Sequence, residues 1–396
     1  MLRTLLFTTA LAMTAAPALA QVEVTQLAAP DAFSTPGRDT GLPPDLWRGT
    51  PLETARAVLP ALSSKPLSPA AAALARRVLA TGASGPDGAA ADPMLGGARA
   101  GALIALGDVA AATRILERAP GLERNAELSK AAAETALLSG DTARACQLAE
   151  GLSTGRGEAY WLRLRAFCQV EAGQADQAQL TFDLAQTQAR DAIYGRLMMA
   201  RMAGAAPGAA SLRNGLDLAL SKSLNLDLAA AKPAPAVAAA LSGGDPAPPT
   251  FDTAVIDAQI GGLAAAVAAG VPSEPAVSAL IAAAAEADVK SRAKLQSAAL
   301  LVAALANDLP GADRARISGF AVAEGKGPAG RNLALEAAAD GKRVGEAALL
   351  ALWTSADAGV AGPAVADRVR IIRVLSRIGL ANEARLFVLE GLAGLK

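Results

Sequence analysis

Small, apolar and turn-forming positions keep a fixed spacing through the first half of the chain. Gly107, Gly140 and Gly173 stand 33 residues apart. Each has a small residue seven positions earlier (Ala100, Ala133, Ala166), an apolar residue three positions earlier (Ile104, Leu137, Val170) and an alanine five positions later (Ala112, Ala145, Ala178). Positions seven and three before the glycine are one helical turn apart and share a helix face. Glycine takes the left-handed conformation that ends a helix, and alanines on facing sides let two helices approach closely. The pattern predicts three helix–turn–helix units: 94–106 with 109–119, 126–139 with 142–151, and 158–172 with 175–189. A period of this size marks stacked helical hairpins.

Helix signals continue on both sides. Thr50-Pro51 and Ser68-Pro69 are start signals for helices over 51–62 and 68–80, followed by a Gly/Pro/Ser loop at 81–92. The 203–250 stretch is rich in Pro, Ala and Gly and reads as a linker with short helices near 212–220 and 234–241. Beyond Phe251, helices are expected over 252–269, 274–288, 290–307, 312–324, 329–340, 344–356, 363–378 and 381–393. Gly341 before Ala347 and Gly379 before Ala384 echo the earlier turns with a looser spacing of 38. These helices are expected either to continue the stack or to form a second one. The resulting division is 1–20 leader, 21–50 extended arm, 51–202 N-terminal helical domain, 203–250 linker and 251–396 C-terminal helical domain.

The three units resemble the tetratricopeptide repeat, which has a small residue early in its first helix, glycine near the turn and alanine in its second helix. The family's aromatic positions and closing proline are mostly missing here, apart from Phe182 and Ala119-Pro120. The resemblance covers about residues 94–190. It implies an all-α fold, an α-solenoid of antiparallel helical hairpins, with the first helix of each hairpin lining the concave side. Such repeats serve many partners, so the architecture names no activity.

Residues 1–20 carry Arg3 as their only charge, an apolar run from Leu5 to Ala16 and the small-x-small sequence Ala18-Leu19-Ala20. That is the pattern of a bacterial secretory signal peptide cleaved before Gln21, so a periplasmic or secreted location is expected. Later apolar runs, such as 263–271 and 298–306, fall short of the roughly 18 residues a membrane-spanning helix needs. The 37 basic and 37 acidic residues balance, which argues against nucleic acid or anionic lipid as the main partner. The arm at 21–50 holds one tryptophan, Trp47, read as a hydrophobic plug onto the body.

Chemistry is constrained by what is missing. The chain has no histidine, which removes Ser-His-Asp and Cys-His catalysis and imidazole metal sites. Gly325-Lys326-Gly327-Pro328 has neither the spacing nor the hydroxyl residue of a phosphate-binding loop, and Gly155-Arg156-Gly157 reads as a turn. Glu171, Glu336 and Glu346 read as solvated helix faces. Alanine-rich helical stacks are similar to the superhelical domains of lytic transglycosylases, but the Glu-Ser motif of their catalytic domain has no counterpart here. No enzyme activity, cofactor or metal is expected. Cys146 and Cys168, the only cysteines, fall on neighbouring helices. An oxidising compartment favours a disulfide between them; two separate buried thiols are the alternative.

The candidate surface is the inner face of the repeat. Counting from the turn glycines places Glu127, Lys130 and Glu134 there in unit two, and Tyr160, Arg163 and Phe167 in unit three. Mixed charge with a few aromatics suits an extended peptide; Phe167 alternatively belongs to the core. The expectation is a non-enzymatic protein that binds a protein or peptide, with envelope assembly as its setting. A peptidoglycan-associated accessory and a structural envelope protein are the alternatives.

Overall fold

A computed structural model describes residues 32–89, 92–243, 246–252, 258–306 and 308–395. The expected leader and its expected cleavage point, with the first part of the expected arm, lie outside them. The described residues form nineteen α-helices and no strand. The fold is all-α, as the sequence pattern requires.

Local chemistry sets the hairpins. α1 (Leu52–Ser64) and α2 (Pro69–Ala80) precede the repeat pairs α3 (Pro93–Ala105) with α4 (Val109–Glu117), α5 (Ala126–Ser139) with α6 (Thr142–Gly151), and α7 (Ala159–Glu171) with α8 (Ala175–Gln188). Gly107, Gly140 and Gly173 have φ of 79°, 84° and 73°. In each turn the next residue's N–H reaches five residues back: Asp108 to Leu103, Asp141 to Ala136 and Gln174 to Gln169, all at 2.8 Å. This is the left-handed helix-ending motif that satisfies orphan carbonyls. Asp108 and Asp141 then cap the next helix through Ala111 and Arg144 N–H, and Ala112, Ala145 and Ala178 are fully buried where the helices meet. A further helix not foreseen from the pattern, α9 (Ala192–Ala203), follows with Asp191 as its cap.

The same turn recurs near the C-terminus with one change of register. The left-handed residue is Lys342 (φ 54°), not Gly341, and Arg343 N–H reaches Ala338 at 2.9 Å. Gly379 (φ 86°) repeats it, with Leu380 N–H on Leu375 at 2.8 Å. Counted from the residue that holds the left-handed conformation, Ala347 and Ala384 again fall five positions later, and both are fully buried.

Packing order departs from chain order. α10 (Gly215–Ser223) lies on α9 and α5, and α11 (Pro235–Ser242) on α5, α3 and α4. Residues 203–243 therefore run back over the hairpins, from α9 toward α3 and α4. Proline, alanine and glycine suit a chain laid close against other helices. α12 (Ala258–Ala269), α13 (Glu274–Glu286), α14 (Arg292–Ala303) and α15 (Gly311–Ile317) follow, then the pairs α16 (Ala329–Asp340) with α17 (Val344–Ala358) and α18 (Val365–Arg377) with α19 (Ala381–Ala393). α15 stops at Ile317, short of the expected 324; the chain turns away through Gly319, and Ala321 N–H goes to the Gln296 side chain at 3.3 Å.

The last hairpins pack on the first helices: α17 on α1 and α2, and α19 on α2. Polar ties cross this junction. Arg77 Nη1 donates to both carboxylate oxygens of Glu383 (2.7 and 2.8 Å), and Glu390 accepts the Ala70 N–H at 2.8 Å, capping α2 from α19. Residues 32–50 strap the same region. Trp47 is fully buried and meets Phe33 edge-to-face at 6.0 Å, while Leu46 C=O accepts from Gly345 N–H. The buried Arg99 guanidinium donates to the carbonyls of Leu79 and Thr81 (both 2.7 Å) and to those of Phe33 and Thr35.

Candidate functional site

The first helices of the repeat hairpins present small residues at helical spacing. On α3 these are Gly97, Ala98, Gly101 and Ala105; on α5, Ala131 lies in a stripe with Glu127, Lys130 and Glu134. Thin side chains bring the two helices together at one end, where a Cβ on Gly97 would stand 2.9 Å from Glu127 Cβ. Farther along, a Cβ on Gly101 would meet nothing within 4 Å. The result is a cleft of about 920 Å³. Its floor is α3 and α5. One wall is the end of α1 and its connection to α2, from Pro60 to Leu67, together with Arg76 of α2; the other is the returning segment at Arg213–Asn214 and Ala234–Ala236. The lining is mostly apolar, with Met94 and Val360 well exposed on it. Clefts of this size and character are the usual form of ligand sites.

The six expected inner-face residues divide into two groups. Glu127, Lys130 and Glu134 line the cleft, whereas Tyr160, Arg163 and Phe167 are absent from its lining. Glu134 Oε2 accepts the Gly215 N–H at 2.7 Å, anchoring the start of α10; Asn214 caps the same helix by accepting from Asp217 N–H at 2.8 Å. Burial holds the Glu134 carboxyl above the usual carboxylate range, partly offset by the Gly215 hydrogen bond and by Lys130. The Tyr160 phenol sits beside Glu134 and is raised by burial first and by that neighbouring carboxylate second. Tyr160 Oη and Glu134 Oε1 are both sealed from solvent, and neither completes a hydrogen bond of good geometry. Lys130 Nζ stands over the Tyr160 ring at 5.4 Å. Arg163 is engaged elsewhere: it donates to Ala189 C=O at 2.6 Å, pairs with Asp191 at 3.6 Å and lies over the Tyr194 ring. Phe167 is in the core.

Three cationic wall residues, Lys65, Arg76 and Arg213, escaped the sequence reading. None lies on a repeat helix, and only the packing of α1, α2 and the returning segment brings them to the α5 stripe. A usable signal was Gly101, a helix-interior glycine in a chain otherwise filled with alanine, since glycine there costs about 0.5–1 kcal/mol relative to alanine.

The other motifs take structural roles. Cys146 of α6 and Cys168 of α7 stand at disulfide distance, Sγ–Sγ 1.96 Å and Cα–Cα 5.6 Å. Gly325-Lys326-Gly327 does wrap an anion, but the anion is the protein's own: Asp367 Oδ2 accepts from Lys326 N–H (2.7 Å) and Gly327 N–H (3.0 Å). Side chains on either glycine would run into that carboxylate. Arg156 of the Gly155–Gly157 turn donates to the Glu150 and Leu152 carbonyls, both at 2.7 Å. Glu171 pairs with Arg201 and Glu336 with Arg370, each at 3.0 Å. Glu346, expected on a solvated face, is buried beside Arg343 at 2.5 Å, because α17 is covered by α1 and α2. Among the described residues no cluster of three or more carboxylates and cysteines has the arrangement of a metal site, and no helix is long and apolar enough to cross a membrane. Comparison with protein-family models, with curated proteins and with solved structures finds no match.

Proposed function

We propose that this chain is an exported, non-enzymatic helical-repeat protein of the bacterial periplasm. In this reading its leader is removed before Gln21, its hairpins form a tetratricopeptide-like solenoid, and the α3–α5 cleft holds a protein or peptide partner. The carrying observation is the cleft itself: about 920 Å³, mostly apolar, with Glu127, Lys130 and Glu134 of one helical stripe along it. Small side chains on the floor leave room for another chain's backbone to approach, and mixed charge along the edge can orient it. The sulfur pair joining α6 to α7 fits a protein that matures in an oxidising compartment.

The test is capture from native envelope extract by the full mature chain, in parallel with Gly101→Trp, which fills the cleft from an open position. A partner retained by the parent protein and lost from Gly101→Trp is expected. Equal capture by both proteins removes the cleft as the binding site.

A further inference from the structure

The charged groups around the cleft divide by whether the protein already engages them. Lys65 is paired with Asp357 at 2.7 Å, and the same Asp357 also takes Arg331 at 2.7 Å, so one carboxylate answers two cations on that rim. Arg213 is held by Asp217 (2.5 Å) and Asp191 (3.0 Å). Glu134 caps α10. Arg76, Lys130 and Glu127 remain. Half-buried Arg76 makes one long hydrogen bond, 3.4 Å to the Leu106 carbonyl. Burial lowers its pKa from the usual guanidinium value, and the carboxylate that opposes this, Asp108, is already joined to Arg38 and to the N-terminus of α4. Among the described residues neither Lys130 nor Glu127 has an ion pair. Arg76 on the α2 wall and Lys130 on the α5 floor, the latter over the Tyr160 ring, thus line one largely apolar cleft with no ion pair of their own among the described residues, and Glu127 lines it from the same helix as Lys130. Cations so placed, partly buried and without an ion pair of their own, favour an incoming anion.

We propose that the occupant of this cleft is an apolar peptide segment carrying an acidic group, and that Arg76 and Lys130 receive the anion. This rests on the cleft being the binding site, as proposed above. Glu127, one turn before Lys130 on α5, opposes the anion and sets the sign of a control.

Two dyes that differ by one sulfonate separate the questions: 8-anilinonaphthalene-1-sulfonate and neutral N-phenyl-1-naphthylamine, titrated into the full mature chain by fluorescence. The sulfonate is expected to bind about tenfold more tightly, equivalent to about 1.4 kcal/mol. Arg76→Gln and Lys130→Gln should each weaken the sulfonate and spare the neutral dye. Glu127→Gln should tighten the sulfonate, and Gly101→Trp should abolish both. An acetylated, amidated Leu/Ala/Pro octapeptide with one Glu should displace the sulfonate, while its Gln twin should not. Circular dichroism of each variant confirms the helical fold. Equal affinity for the two dyes, or a sulfonate preference that survives Lys130→Gln and Arg76→Gln, overturns the anion assignment and leaves the cleft standing. Failure of the Glu peptide to displace a preferred sulfonate overturns the peptide as carrier. No binding of either dye, or binding that survives Gly101→Trp, removes the cleft as the site altogether.

Discussion

Gly101 offers the most direct check on the cleft. It is the ninth of thirteen residues in α3, well inside the helix, where glycine is disfavoured relative to alanine by about 0.5–1 kcal/mol because it loses more backbone freedom on folding. That deficit is ordinarily tolerated where a neighbour needs the space. Here a Cβ would meet nothing within 4 Å, so the space belongs to the cleft and not to packing. Gly101→Ala is therefore expected to stabilise the protein by about 0.5–1 kcal/mol, a change of roughly two- to fivefold in the unfolding equilibrium. Gly97 is the internal control: on the same helix, a Cβ there would stand 2.9 Å from Glu127 Cβ and 3.0 Å from the Leu128 nitrogen. Gly97→Ala must push α5 away and is expected to destabilise. Urea unfolding of both variants, followed by helical circular dichroism, reads the difference as opposite shifts of midpoint at constant slope. A destabilised Gly101→Ala would show that α3 is covered at this position, and the cleft would lose its floor.

Three further expectations follow from other features. Replacing both Cys146 and Cys168 by serine opens a link spanning 22 residues, which in the loop-entropy picture costs about 3 kcal/mol; urea midpoints that match with and without reductant would refute the link. Asp367→Ala leaves the Lys326 and Gly327 N–H groups without their acceptor, at a cost of about 1–3 kcal/mol, and should raise amide exchange at 325–327 before it is seen elsewhere. Burial raises the Glu134 carboxyl pKa in the folded protein above its unfolded value. Its contribution to stability is fully present below the unfolded carboxyl value and is lost as pH rises through the raised folded value. Glu134→Gln keeps an acceptor for Gly215 N–H and should flatten that part of the pH–stability profile, and an unchanged profile would place the titration elsewhere.

The local structure was readable because each unit's ends are set by nearby residues. Asp108, Asp141, Gly107, Gly140 and Gly173 act within one turn of themselves, and the two cysteines follow once their helices are placed. The echo at 340–347 was misread by one residue because glycine is the expected holder of a left-handed turn, whereas Lys342 takes that conformation with its Nζ on the Arg377 carbonyl at 2.9 Å. Long-range placement was not readable. Nothing local to Arg213 or Gly215 states that α10 lies against α5, and nothing near Arg77 names Glu383 as its partner. Half of the expected inner face was accordingly visible as a stripe on α5, while the walls that make it a cleft come from segments far away in sequence.

The docking of α17 and α19 on α1 and α2 bears on how the chain acquires its fold. The carboxylate that caps α2 lies 320 residues farther along, and Arg77 waits 306 residues for Glu383. The repeat hairpins can close from local contacts as soon as they are made, but α1 and α2 keep an open flank until almost the last helix exists. Such distant closure slows folding, since the entropy of closing the loop is spent before the contacts form. It also makes α19 a checkpoint: a chain cut short before it leaves α2 uncapped and without its α19 contacts, while α17 and α3 still cover the rest, so a defect made late in the chain is felt near its beginning.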